Sequence, residues 1–242
     1  MKFFILLLVP IISHAFINIE SIRSQQDEGF VGAYKTLFTQ QTGNTDKSST
    51  TISSLNSYKK TQHEWLFLAN LAYGESRDKK DTNNGSTHFR YTYYFKPKIG
   101  HENYIQFQYN EFTSLNFREV YGQGLRFILK EQKQSTLATG AGAFFEHEEL
   151  KNQANQDAVR ANLYLSLTQT LTETLDISVI AYYQPSLKRS NDVRTIISAG
   201  SSLDVTKSIT FNLEYSYSND NKPPFGINEE DSTTQFGLAI KY

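Results

Sequence analysis

Five arginines, Arg90, Arg118, Arg126, Arg160 and Arg194, fall where the two-residue period of a β-strand turns each away from its apolar neighbours. If the strands close into a barrel with the apolar side outward, these guanidinium groups line the lumen, with Glu146, Asp176 and Glu214 as their expected carboxylate partners. Strand direction puts Arg118, Glu146, Arg160 and Arg194 in the outer half of that lumen. Two chemistries follow. An ion-paired filling would satisfy a polar interior, because buried charges need partners. A like-signed arginine ladder would instead guide anions through a pore.

Other reactive groups are sparse. Beyond the first fifteen residues the histidines are His63, His88, His101 and His147. His63 and His101 fall at turns, and His88, near Ser86, is the one candidate for a serine-nucleophile pair. No third orienting group accompanies it, so the constellation is incomplete and the chain is not read as an enzyme. The run Glu146-His147-Glu148-Glu149 offers oxygen ligands to a divalent cation, but such a run is more often a solvated rim; no metal or cofactor is assigned. With no cysteine, disulfides and thiolate chemistry are excluded. A net charge of -1, without basic clusters interleaved with aromatics, speaks against nucleic acid as a partner.

The elements that must position these groups are strands. Phe236, Leu238, Ile240 and Tyr242 alternate with Gln235, Gly237, Ala239 and Lys241, which gives one apolar and one polar face. Phe89, Tyr91, Tyr93 and Phe95 alternate with His88, Arg90, Thr92 and Tyr94, and Val159 to Leu167 repeats the scheme around Arg160, Asn162, Tyr164 and Ser166. Leu115 to Lys130 reads with Leu115, Phe117, Tyr121 and Leu125 outward, and Gly140 and Gly142 face inward on the next strand. Ser48 to Lys60 alternates poorly. In all, about twelve strands are expected, the even number of a closed antiparallel up-and-down transmembrane β-barrel. Connections near Thr61, Pro97, Gln132, Thr170 and Thr206 are short; those near Asn44, Ser114, Asn152, Arg189 and Pro223 are mostly longer, and Glu75 to Ser86 reads as a polar loop. Such asymmetry suits short periplasmic turns and longer outer loops.

The only long apolar run is Phe3 to Ile12, preceded by Lys2 and followed by Ser13-His14-Ala15. It is too short to span a bilayer as a helix and reads as a signal peptide over residues 1–15. A periplasmic leader over 16–28 and a barrel over 29–242 complete the organisation.

Several pieces, in order, resemble a family of Gram-negative outer-membrane proteins gathered under a domain of unknown function and often called salt-induced outer-membrane proteins. They are Asp27-Glu28-Gly29-Phe30-Val31-Gly32, Thr42-Gly43-Asn44-Thr45-Asp46, Tyr73-Gly74-Glu75, Phe89-Arg90-Tyr91, Gln108-Tyr109-Asn110-Glu111-Phe112 and Gly124-Leu125-Arg126. The resemblance implies an outer-membrane barrel and carries no catalytic residues. Phe236, Leu238, Ile240 and Tyr242 are similar to the terminal signal that such proteins present to the barrel assembly machinery. The expected function is a narrow, partly plugged passive pore for small, notably anionic, solutes, or a non-transporting barrel that supports the envelope under salt or osmotic stress. Expected partners are outer-membrane lipid, lipopolysaccharide met by Lys79-Lys80 and Lys188-Arg189, and the assembly machinery; a monomer is expected because closure removes the sheet edges.

Overall fold

The computed structural model describes Arg23, residues 28–41 and residues 47–241. The proposed signal peptide, most of the leader, the loop at 42–46 and Tyr242 lie outside the described residues. Twelve strands run in sequence as β1 (Gly29–Gln41), β2 (Lys47–Lys60), β3 (His63–Ser76), β4 (Lys79–Lys96), β5 (Ile99–Asn110), β6 (Leu115–Gln132), β7 (Ser135–Leu150), β8 (Gln156–Thr170), β9 (Leu175–Pro185), β10 (Val193–Asp204), β11 (Ile209–Asp220) and β12 (Glu230–Lys241). Each pairs antiparallel with its neighbours, and β12 closes on β1 to make an up-and-down barrel. Closure leaves every strand with two neighbours, which is how a sheet satisfies its backbone in lipid. At the seam the register is short: Ala33, Tyr34 and Lys35 oppose Lys241, Ile240 and Ala239, whereas β1 pairs with β2 along its whole length.

Alternation decides which side chains enter the lumen. Phe236, Leu238 and Ile240 are 69, 56 and 61% exposed, while Ala239 between them is buried. Leu163, Leu165 and Leu167 likewise point out and Arg160, Asn162, Tyr164 and Ser166 point in. The surface is therefore apolar and the interior polar, the reverse of a soluble sandwich and the arrangement a bilayer demands. Near the turns, Tyr58, His63, Trp65, Tyr91 and Tyr93 stack into an outward cluster at ring separations of 5.2 to 5.9 Å. Such amphipathic rings belong at a membrane interface.

Two expectations are corrected. The polar loop expected over Glu75 to Ser86 is a two-residue hairpin at Arg77-Asp78, both at positive φ (50° and 58°), and β4 resumes at Lys79. Two consecutive left-handed residues make the type I′ turn that suits hairpin twist, but Arg-Asp lacks the glycine that usually announces it. Leu115 does not face outward: a bulge between Leu115 and Phe117 turns it into the lumen, where it is 7% exposed. The poorly patterned β2 has a definite register nonetheless, with Ile52 and Tyr58 outward and Leu55 packed inside against Leu66 and Leu68.

Glycines on β6 and β7 let bulky lumen residues lie flat. Tyr104 sits directly opposite Gly122, and Tyr164 opposite Gly140. A Cβ at either glycine would come within 2.1 Å of the tyrosine ring. Each ring therefore covers the bare backbone of the next strand instead of projecting across the bore.

Candidate functional site

The interior holds two layers of charge. In the half nearer the loops, β7 supplies Glu146, and its carboxylate receives Arg118 Nη2 at 2.6 Å, Arg194 Nη1 at 2.6 Å and Arg160 Nε. These arginines come from β6, β10 and β8, so Glu146 ties non-neighbouring strands across the bore. Glu148 also binds Arg118 (3.2 Å) and Arg194 (3.0 Å), Asp192 binds Arg160 (2.7 Å) and Asp220 binds Arg194 (2.6 Å). Arg160, Glu146 and Asp192 are all at most 2% exposed in their side chains. A charge buried so deeply persists only with this kind of multiple pairing.

The second layer is the waist, in the half nearer the turns. Arg23, from the segment preceding β1, lies inside the lumen and grips Glu64 with a two-pronged bond, Nε to Oε1 at 2.7 Å and Nη2 to Oε2 at 3.0 Å. It also donates to Glu102 (3.1 Å) and to Thr92 (3.0 Å). Tyr94 donates to Glu64 at 3.1 Å, Tyr164 donates to Glu102 at 2.9 Å, and Arg126 donates to the Tyr164 hydroxyl at 3.1 Å. Planar guanidinium and carboxylate groups fit such forked contacts well. Arg23, Glu64, Thr92, Glu102, Arg126 and Tyr164 are all buried.

Between the layers, a vestibule opens toward the loops and encloses about 1590 Å³, solvent at its mouth included. Amides and hydroxyls such as Asn84, Gln106, Gln108 and Gln184 line its walls, and His88, Arg90 and Tyr182 lie at its depth. His88 Nδ1 meets Gln106 Oε1 at 3.1 Å, its ring stacks on Tyr104, and the Arg90 guanidinium lies 5.0 Å from the centre of that same ring.

The structure divides the residues singled out from sequence. Arg118, Glu146, Arg160 and Arg194 meet in one network; Arg90 and Arg126 belong to the waist. Asp176 and Glu214 join neither: Asp176 accepts from Thr170 at 2.6 Å and Glu214 pairs with Lys35 at 3.6 Å, because both stand nearer the turns than the arginines assigned to them. The carboxylates that take their place are Glu64, Glu102, Glu148, Asp192 and Asp220. Inward parity marks Glu64 with Leu66 and Glu102 with Gln106; nothing local in the sequence marks Arg23. His88 bonds Gln106 rather than Ser86, so no serine is activated there. The run at 146–149 cannot converge on one ion: Glu146 and Glu148 point inward to arginines, while His147 points out to Asp157 at 2.6 Å. Among the described residues no group of three or more His, Asp or Glu is placed to hold a metal.

A family model described as "Protein of unknown function, DUF481" matches residues 38–242. The chain belongs to the DUF481 family. That description carries neither an activity nor the salt-induced name. No curated protein matches this DUF481 chain by sequence. Among solved structures, the translocator domain of the autotransporter NalP from Neisseria meningitidis superposes with a TM-score of 0.51 at 10% identity, covering 93% of this chain and 91% of that one. The NanC porin gives 0.49 at 9% identity, over 88% of this chain and 97% of its own. The KdgM porin gives 0.46 at 10%, over 88% and 98%. At 10% identity the likeness to the NalP domain is one of fold, the closed antiparallel β-barrel that this DUF481 protein forms.

Proposed function

We propose that this DUF481 barrel resides in the outer membrane and acts as a narrow passive pore for small solutes, narrowed at its waist by Arg23. The observation that carries the reading is the insertion of Arg23 between Glu64 and Glu102, beneath a vestibule open to the loops. Barrels of about eight strands are filled with side chains and those of 16 to 18 hold open channels, so twelve strands suit a narrow bore that a few side chains can close. Among the described residues the waist sets the arginines Arg23, Arg90 and Arg126 beside the carboxylates Glu64 and Glu102, so a passing anion would meet guanidinium groups there. The loop-end network has four arginines, Arg118, Arg160, Arg189 and Arg194, for four carboxylates, Glu146, Glu148, Asp192 and Asp220; it binds strands together and is not a ladder of free positive charge. The apolar belt would face lipid, Lys79 and Lys188 at the loop end would meet lipopolysaccharide phosphates, and β12 with Tyr242 would present the assembly signal of a monomeric barrel.

Single-channel recording in planar bilayers tests the pore. Wild-type protein should conduct little, and Arg23→Ala should conduct more often or more strongly, with anions preferred. The closed waist also favours a second reading, a non-transporting barrel that supports the envelope under salt or osmotic stress. Folded Arg23→Ala and Glu64→Gln proteins that never conduct would sink the pore and leave that second reading.

A further inference from the structure

We infer that the depth of the vestibule is a binding site for a small hydroxy acid, whose carboxylate is taken by Arg90 and whose hydroxyl is taken by His88. The inference names the solute class for the pore proposed above and rests on that reading for its physiological meaning, but not for binding itself.

Arg90 is the decisive group. It is 4% exposed, yet its buried Nε and Nη1 donate no hydrogen bond. Its nearest carboxylate, Glu102 Oε1, lies 3.6 Å from Nη1, beyond hydrogen-bond length, and that same oxygen is already bound by Arg23 at 3.1 Å. Every other arginine described in the lumen donates to an oxygen acceptor; Arg90 is held in place mainly by the face of Tyr104. A buried guanidinium with idle donors is expensive unless an acceptor arrives. Its fork of N–H groups matches a planar carboxylate, and it lines the cavity through which one would come.

His88 adds the second half of the ligand. Gln106 donates its amide to Gln108 Oε1 at 2.7 Å, so Gln106 presents its carbonyl oxygen to His88 and receives the Nδ1 proton at 3.1 Å. That leaves His88 Nε2 as a lone-pair acceptor, and it is buried with no donor facing it. An acceptor beside an idle guanidinium calls for a molecule that brings both a hydroxyl proton and an anionic oxygen. The amide-rich walls above can bond further hydroxyls.

Calorimetry on the full mature chain in detergent tests this with three probes: gluconate, with carboxylate and hydroxyls; glucitol, with hydroxyls alone; and hexanoate, with carboxylate alone. Gluconate should bind at least about tenfold more tightly than either, the scale of one charge-assisted hydrogen bond. Arg90→Lys should lose about tenfold or more of gluconate affinity while keeping the charge, because it cannot form the fork. His88→Phe, which preserves the ring stacked on Tyr104, should erase the preference for gluconate over hexanoate and leave hexanoate binding unchanged. Equal binding of gluconate and glucitol, or gluconate affinity unaltered by both substitutions, would overturn the site. Arg90-dependent gluconate binding by a barrel that never conducts supports the site and removes the pore; conductance without any gluconate binding overturns the site and spares the pore.

Discussion

Replacing Glu146 with glutamine isolates the charge that joins three strands. The carboxylate is 2% exposed, so solvent does not screen it, and its two oxygens accept from Arg118, Arg160 and Arg194. Glutamine keeps the shape but offers one acceptor oxygen, and its amide must face a guanidinium donor to donor. Breaking one side of a buried pair costs roughly 3–5 kcal/mol. Residual partners pull the value toward the low end: Arg160 keeps Asp192, and Arg194 keeps Glu148 and Asp220. We therefore expect a loss of about 3 kcal/mol in reversible urea unfolding from lipid vesicles at neutral pH. Arg160→Gln in the Glu146→Gln background should then cost less than it does alone, with a coupling of at least about 0.5 kcal/mol. A wild-type midpoint for Glu146→Gln, or a strictly additive cycle, would refute the claim that this network holds the loop-end half of the barrel.

Three further outcomes follow from the same coordinates. Gly122→Ala puts a methyl group within 2.1 Å of the Tyr104 ring and should destabilise the barrel by about 1–3 kcal/mol, read by the same unfolding assay; no change would mean the ring does not lie over that glycine. Leu165→Arg, at a lipid-facing position that is 52% exposed, should cost about 2–4 kcal/mol if that residue sits near the bilayer midplane, and a neutral result would place the belt elsewhere. At the loop end, Lys80 donates to Glu111 at 2.8 Å, and this bond, with a second from Asn83, holds the Glu111 carboxyl below its ordinary value. A depressed folded value means the contact stabilises above the unfolded carboxylate range and is lost as pH falls through the folded one. An NMR titration of Glu111 should show that depression in wild type and its relief in Lys80→Ala; identical titrations would dismiss the pair.

Strand number and most facings were legible because a closed barrel with an apolar outside and a polar inside imposes alternation along its strands. Apolar positions such as Leu163 and Leu165 point outward, and the arginines carried on strands follow from parity with them. Parity is silent about height and about position around the barrel. Asp176 and Glu214 have lumen parity with the arginines, yet they stand too near the turns to reach them, and only the closed register reveals it. The expectation for Leu115 failed because a bulge adds one residue and flips the face, a backbone event with no residue type of its own here. Glu64 and Glu102 were accessible to the parity rule, each sharing a face with an inward neighbour, Leu66 and Gln106.

Among the described residues the waist is filled by charge rather than by bulk, which bears on how the proposed pore would open. Tyr104 and Tyr164 lie flat over Gly122 and Gly140, so the largest rings at this level take little of the cross-section. What blocks the waist is a set of guanidinium and carboxylate groups whose central member, Arg23, belongs to no strand of the wall. A wall residue can leave the bore only by deforming the sheet, whereas Arg23 sits on no strand and is held by side-chain contacts, those to Glu64, Glu102 and Thr92 among them. Its departure would leave two buried carboxylates facing Arg90 and Arg126, with the formerly idle Arg90 as the nearer cation to Glu102. An anion seated on Arg90 would compete with that rearrangement, so hydroxy-acid binding and the withdrawal of Arg23 are coupled through one carboxylate, and occupancy of either state must change the affinity of the other.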